Sequence, residues 1–155
     1  MTGPASESVD RVALTPEAAD LVRRLRAAHG PLMFHQSGGC CDGSAPMCFP
    51  RGDFIVGDDD VLLGLLDDAH PGEPSPVHRP GEPISDDVSP VWISGPQYAA
   101  WAHTQLLLDV VPGRGAGFSL EAPEGVRFLT RSRVFDDAER QWLDSCPAPR
   151  GRDVH

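Results

Sequence analysis

The chain has 155 residues and a formal net charge of −10 at pH 7, with 40% hydrophobic and 23% charged residues. That length suits one domain around a single modest core, and the acidity argues against a nucleic-acid partner. No apolar run approaches the about 20 residues that span a bilayer. The start, MTGPASESVDRVALT, lacks the basic flank and apolar core of a secretory leader. The expected compartment is therefore the cytoplasm, where thiols stay reduced.

Residues 1–11 are small and polar and are expected to be disordered. A short apolar step, Val12 to Leu14, leads into Thr15-Pro16-Glu17, a helix start. Thr15 can cap free N–H groups, Pro16 is pre-set for the first helical position, and Glu17 complements the dipole. Leu21, Val22, Leu25 and Ala28 form the apolar stripe, and Gly30 is the stop. Residues 32–35 read as a buried strand running into Gly38-Gly39-Cys40-Cys41, and Phe54-Ile55-Val56 as the next strand. Gly57 and Asp58–Asp60 make a turn, and the apolar run Val61–Leu66 suits either strand or helix.

Residues 67–90 are rich in Pro, Asp and Glu and read as a loosely held insertion, with His70 and His78 as solvated loop histidines. Val91-Trp92-Ile93 resumes as a strand, and Ser94-Gly95-Pro96 opens a short helix carrying Tyr98 and Trp101. Leu106, Leu108 and Val110 alternate with Gln105, Leu107 and Asp109 as a strand does. A glycine-rich turn follows over residues 112–117, and Phe118-Ser119-Leu120-Glu121 is expected to begin the next strand. Residues 126–135 alternate again. A last helix starts on Asp136 and is expected to bury Trp142, and residues 147–155 read as a flexible tail. Strands clustered with helices at the ends imply an α+β domain over residues 12–146, with a mixed, mainly antiparallel sheet.

The chemistry concentrates in residues 32–49. His35-x4-Cys40-Cys41-x6-Cys48 supplies an imidazole and three thiols beside a glycine turn. Thiolate and imidazole together suit Zn²⁺, Cu(I) or an iron centre. Adjacent side chains in extended structure diverge, which is awkward for one metal unless the glycines bend the backbone. The plain alternative is a set of buried small hydrophobes. Cys146 stands alone and reads as an incidental thiol. His103 follows Trp101 at a helix end, where the dipole favours it, and is the distant candidate ligand. Asp109 could orient a ligating histidine or pair with an arginine. Arg127, Arg131 and Arg133 make a small basic ridge. The chain has no GxSxG elbow, no Walker loop and no dinucleotide fingerprint opening a helix.

Two segments resemble the HesB-like A-type iron–sulfur carriers. Thr15–Ala28 is similar to their first helix, and Gly38-Gly39-Cys40 with Gly43 to their cysteine loop. Leu108-Asp109-Val110-Val111 and Gly115 through Pro123 resemble their later strand and Gly-Phe segment. The carriers finish with Cys-Gly-Cys, where this chain has Arg131-Ser132-Arg133-Val134-Phe135. Further residues resemble the bacterial family "domain of unknown function 779". They are His35 through Gly43, Pro46-Met47-Cys48, Gly57-Asp58, Trp101 with His103, Leu108–Val111, Gly115–Glu121, Arg127-Phe128 and Ser132-Arg133. That resemblance implies a HesB-like α+β scaffold and a protein often encoded beside aldehyde or alcohol dehydrogenases. It implies no established activity.

The expectation is a metal-binding accessory protein using Cys40, Cys41, Cys48, His35 and His103. Its metal would be zinc, copper or iron, with an iron–sulfur cluster the lesser alternative, and its partner an aldehyde or alcohol dehydrogenase. Two alternatives stand beside it. One is a thiol-dependent enzyme with Cys40 or Cys41 as nucleophile on a small aldehyde or thiol adduct. The other is a non-catalytic binding partner of a dehydrogenase whose thiols are merely buried.

Overall fold

The computed structural model describes residues 10–36, 46–52, 55–69, 84–113, 119–145 and 147–151. Cys40, Cys41, Phe54, His70, His78, Cys146 and the turn at residues 114–117 lie outside them. Strand β1 (Val12–Leu14) pairs parallel with β6 (Thr104–Pro112), and β6 pairs antiparallel with β7 (Val126–Val134). A second sheet has the order β3-β2-β5-β4, built from β2 (Leu32–Gln36), β3 (Met47–Pro50), β4 (Val61–Leu66) and β5 (Ser89–Ile93). Within it β2 and β5 run parallel, while β3 and β4 are antiparallel to their neighbours. The fold is α+β with mainly antiparallel sheets, as the sequence pattern implies.

Helix α1 (Pro16–His29) begins as its sequence predicts. The Thr15 hydroxyl oxygen accepts from the Ala18 N–H at 3.1 Å, Pro16 is the first helical residue, and Gly30 ends the helix at φ +83°. Thr15 also donates through its own N–H to the Leu108 carbonyl and through its hydroxyl to Asp109. These bonds hold the first turn against β6. Burial runs from the first turn to the third, on Ala18, Ala19, Leu21, Val22 and Leu25, and Ala28 in the last turn is exposed instead of completing the stripe.

The main core lies between the two sheets and α1. It joins Leu14, Leu106, Leu108 and Phe128 to Leu32, Phe34, Val91 and Ile93. The Phe34 and Phe128 rings meet edge to face at 5.0 Å across the two sheets. The other face of the four-stranded sheet carries a smaller cluster, Met33, Leu62, Leu65 and Trp92, covered by Phe49, Val56, Ile84 and Val88. With both faces covered, β2 and β5 are buried along their whole length, including the polar residues His35, Gln36 and Ser89. Gly64 does not end β4. It sits at a register shift where an added Cβ would stand 3.0 Å from Val12, so its missing side chain lets β1 approach β4.

Several expectations change. The strand after β2 is Met47–Pro50, not Phe54–Val56; Ile55 is 90% exposed and neither Ile55 nor Val56 belongs to a strand. Met47–Pro50 reaches strand pairing because it folds back directly on β2, and its position at the sheet edge tolerates Pro50. Ser119–Glu121 is a turn leading into a 3-10 turn, Ala122–Glu124, that Gly125 closes at φ +73°. Pro123 and Gly125 suit that turn better than a ladder.

The segment 67–90 is anchored at both described ends. Asp68 is buried against Arg26, and Arg51 donates to the carbonyls of Ile84, Ser85 and Val88. Helix α2 (Gly95–Trp101) packs Tyr98 and Trp101 on the main core. Helix α3 (Asp137–Asp144) starts with a capping box between Asp136 and Glu139. It buries Leu143, and Trp142 is only half-buried, because the inward stripe of so short a helix falls one residue later. Residues 147–151, expected as part of a loose tail, run beside β4: Leu62 N–H donates to the Pro149 carbonyl and Arg150 bridges Val61.

Candidate functional site

The alternation of β2 decides which candidate ligands can meet. Antiparallel register pairs Phe34 with Cys48 and His35 with Met47. Paired residues share a face, and successive residues point to opposite faces. Cys48 therefore faces the main core with Phe34. His35 faces the other way, on the side of Met33 and Trp92.

His35 is 4% exposed and its Nε2 lies 3.0 Å from Asp60 Oδ2. The turn before β4 presents that carboxylate. Asp60 Oδ2 accepts from the Gly57 N–H at 2.9 Å, the Asp60 N–H donates back to the Gly57 carbonyl, and the Asp60 carbonyl accepts from Gly151 N–H. A carboxylate oxygen accepts, so His35 Nε2 is the donor of this bond. This is the way a ligating or base histidine is held in one tautomer by an acid. His35 immediately precedes Gln36, the last residue of β2. Three residues then separate Gln36 from Cys40, and the four steps of chain bound their separation at roughly 14 Å.

Cys48 belongs to a different cluster. It is fully buried, and its thiol is pushed upward by burial and then by the Glu121 carboxylate, so it stays protonated. Its N–H donates to Ser119 Oγ at 2.9 Å, and its carbonyl accepts from the Leu120 N–H. The Ser119 hydroxyl donates to Glu121, whose other oxygen accepts from the Phe128 N–H at 3.2 Å. Glu121 is 1% exposed. These bonds tie β3 to the turn before β7. Glu121 was not anticipated as a buried group; the signal available was an acid two residues from a serine within an otherwise apolar segment.

His103 stands at the exposed turn between α2 and β6, just before the three-stranded sheet begins, and its carbonyl accepts from Phe135 N–H. Asp109 is paired, as one of its two readings has it. It receives Arg131 Nε at 2.9 Å, the Val110 N–H and the Thr15 hydroxyl. Burial would raise its pKa, but these donors together pull it below the usual carboxylate value. In the basic ridge Arg133 makes two bonds to Glu139, so two of its three arginines are ion-paired. Among the described residues no three His, Cys, Asp or Glu side chains come together as a metal-holding group, and no helix is long and apolar enough to cross a membrane.

Comparison with known proteins gives one family. The model of DUF779, a domain of unknown function, matches residues 21–134. No curated protein matches, and no solved structure does.

Proposed function

The chain belongs to the DUF779 family, and from that premise we propose that it is a metal-binding accessory protein in which His35 joins Cys40 and Cys41. The observation that carries this is the His35–Asp60 pair, a buried imidazole fixed by a carboxylate at the foot of the cysteine-bearing segment. Two thiolates and one oriented imidazole suit Zn²⁺ or Cu(I), with iron the harder fit. Cys48 is left out of the ligand set because it faces the opposite side of the sheet, and His103 because it stands in the exposed turn that leads into the other sheet. Resemblance alone supports a HesB-like ancestry for the scaffold and service to an aldehyde- or alcohol-oxidising dehydrogenase.

The test is metal stoichiometry of reduced protein handled anaerobically, followed by competition with a chromophoric chelator. Wild type binds one equivalent of zinc or copper. Cys40→Ser abolishes tight binding, and Asp60→Asn weakens it by about 10–100-fold, the usual effect of losing a carboxylate behind a ligating histidine. No stoichiometric zinc, copper or iron, or unchanged binding in Cys40→Ser and Cys41→Ser, refutes the proposal.

The same pair favours one second reading. A histidine oriented by an acid is also the base that activates a cysteine nucleophile. Rapid iodoacetamide labelling of Cys40 or Cys41 that chelators do not change, and that His35→Gln slows, would select the thiol enzyme. Labelling that speeds up after chelation selects the metal protein.

A further inference from the structure

A cleft of about 370 Å³ opens where α2, α3, the residue before β1 and the segment 147–150 meet. Its size falls in the range of small-molecule sites. Three arginines line it, Arg11, Arg140 and Arg150, with one acidic residue, Asp144. Tyr98 and Leu143 supply ring and aliphatic surface. A lining with two more cations than anions stands out on a chain of net charge −10, and such a recess concentrates anions from solution.

Two of the guanidinium groups donate to backbone carbonyls. Arg11 Nη2 donates to the Leu143 carbonyl at 3.2 Å, and Arg150 Nη1 to the Asp59 carbonyl at 3.3 Å. Arg140 pairs with Asp137 three residues earlier, both largely exposed. Pairs of that kind contribute little and yield readily to a better acceptor. We propose that this cleft binds a small organic anion, its carboxylate or phosphate oxygens taken by the arginines and its body lying on Tyr98 and Leu143. The planar fork of each arginine matches two oxygens of either group.

The experiment reads the cleft and the cysteines separately. The full chain is titrated by two-dimensional NMR at low salt with benzoate, inorganic phosphate and benzamide in turn, and the titrations are repeated on the Cys40→Ser variant. Saturable shifts at Arg11, Tyr98 and Ala148 with benzoate or with phosphate, weakened by salt and absent with benzamide, support the site in both proteins. Benzoate alone identifies a carboxylate ligand, and phosphate alone a phosphorylated one. Arg140→Gln, a change at an exposed side chain, should weaken binding about 10-fold by removing one charge-assisted fork. Saturation by neither anion, equal shifts with benzamide, or undiminished affinity in Arg140→Gln overturns the proposal.

Discussion

Replacing Cys48 with alanine separates packing from ligation. Cys48 is fully buried against the main core, so the change deletes one sulfur and leaves a void of roughly 20 Å³. Lost transfer free energy contributes about 1 kcal/mol, and the void about 0.5 kcal/mol more. The backbone bonds to Ser119 and Leu120 do not involve the side chain and survive. Cys48→Ala should therefore cost about 1.5 kcal/mol in urea unfolding with the slope unchanged, and lower the melting temperature by roughly 3–6 °C. In the same preparation zinc affinity should stay within about 2-fold of wild type, since a residue on the opposite face contributes no ligand. A folded Cys48→Ala protein that loses zinc as completely as Cys40→Ser would refute the assignment of faces, and with it the separation of the two clusters.

Two other perturbations test the frame. Asp109 has a lowered folded pKa, so its stabilising effect is fully present above the unfolded carboxylate value and is lost as pH falls through the folded one. Asp109→Asn should destabilise the protein at pH 7, and the gap from wild type should close as acid unfolding is followed from pH 5 downward; a gap that stays constant with pH would count against it. Asp68 is 1% exposed and accepts from Arg26 Nη2 at 2.7 and 2.9 Å. Asp68→Ala leaves that guanidinium half-buried without its acid and should cost about 3 kcal/mol, seen as a melting point roughly 6–12 °C lower. A shift under 2 °C would mean the pair is solvated and the start of the 67–90 segment is not anchored.

What could be read in advance was local. Thr15-Pro16 and Gly30 bracket α1 because capping and glycine's positive φ act within a few residues. The alternation of β6 was legible because one of its faces is buried and the other is not. Strand β3 was missed because its four residues include a cysteine and a proline, and its strand character comes from pairing with β2, not from its own sequence. The Phe118–Glu121 segment misled in the opposite sense. Its apolar alternation suits a strand, but the following Ala-Pro-Glu-Gly turns the chain first.

In the candidate site, spacing along the chain and strand pairing group the residues differently. Counting along the chain puts His35 and Cys48 in one motif, thirteen residues apart. Pairing β3 with β2 then brings the two backbones side by side and sends their side chains to opposite faces. A shift of one residue in that register would put both on one side, so the division depends on the hairpin register and not on composition. Asp60 entered for the converse reason. It is the third of three consecutive aspartates, all readable as solvated turn residues, and the turn from Gly57 brings it against a histidine 25 residues earlier. The acid that orients His35 is thus chosen by tertiary structure. A test of that choice is to exchange the aspartates: Asp58→Asn and Asp59→Asn should leave metal affinity unchanged, while Asp60→Asn lowers it. Equal losses in all three would mean that the turn acts through its summed negative charge and not through one hydrogen bond.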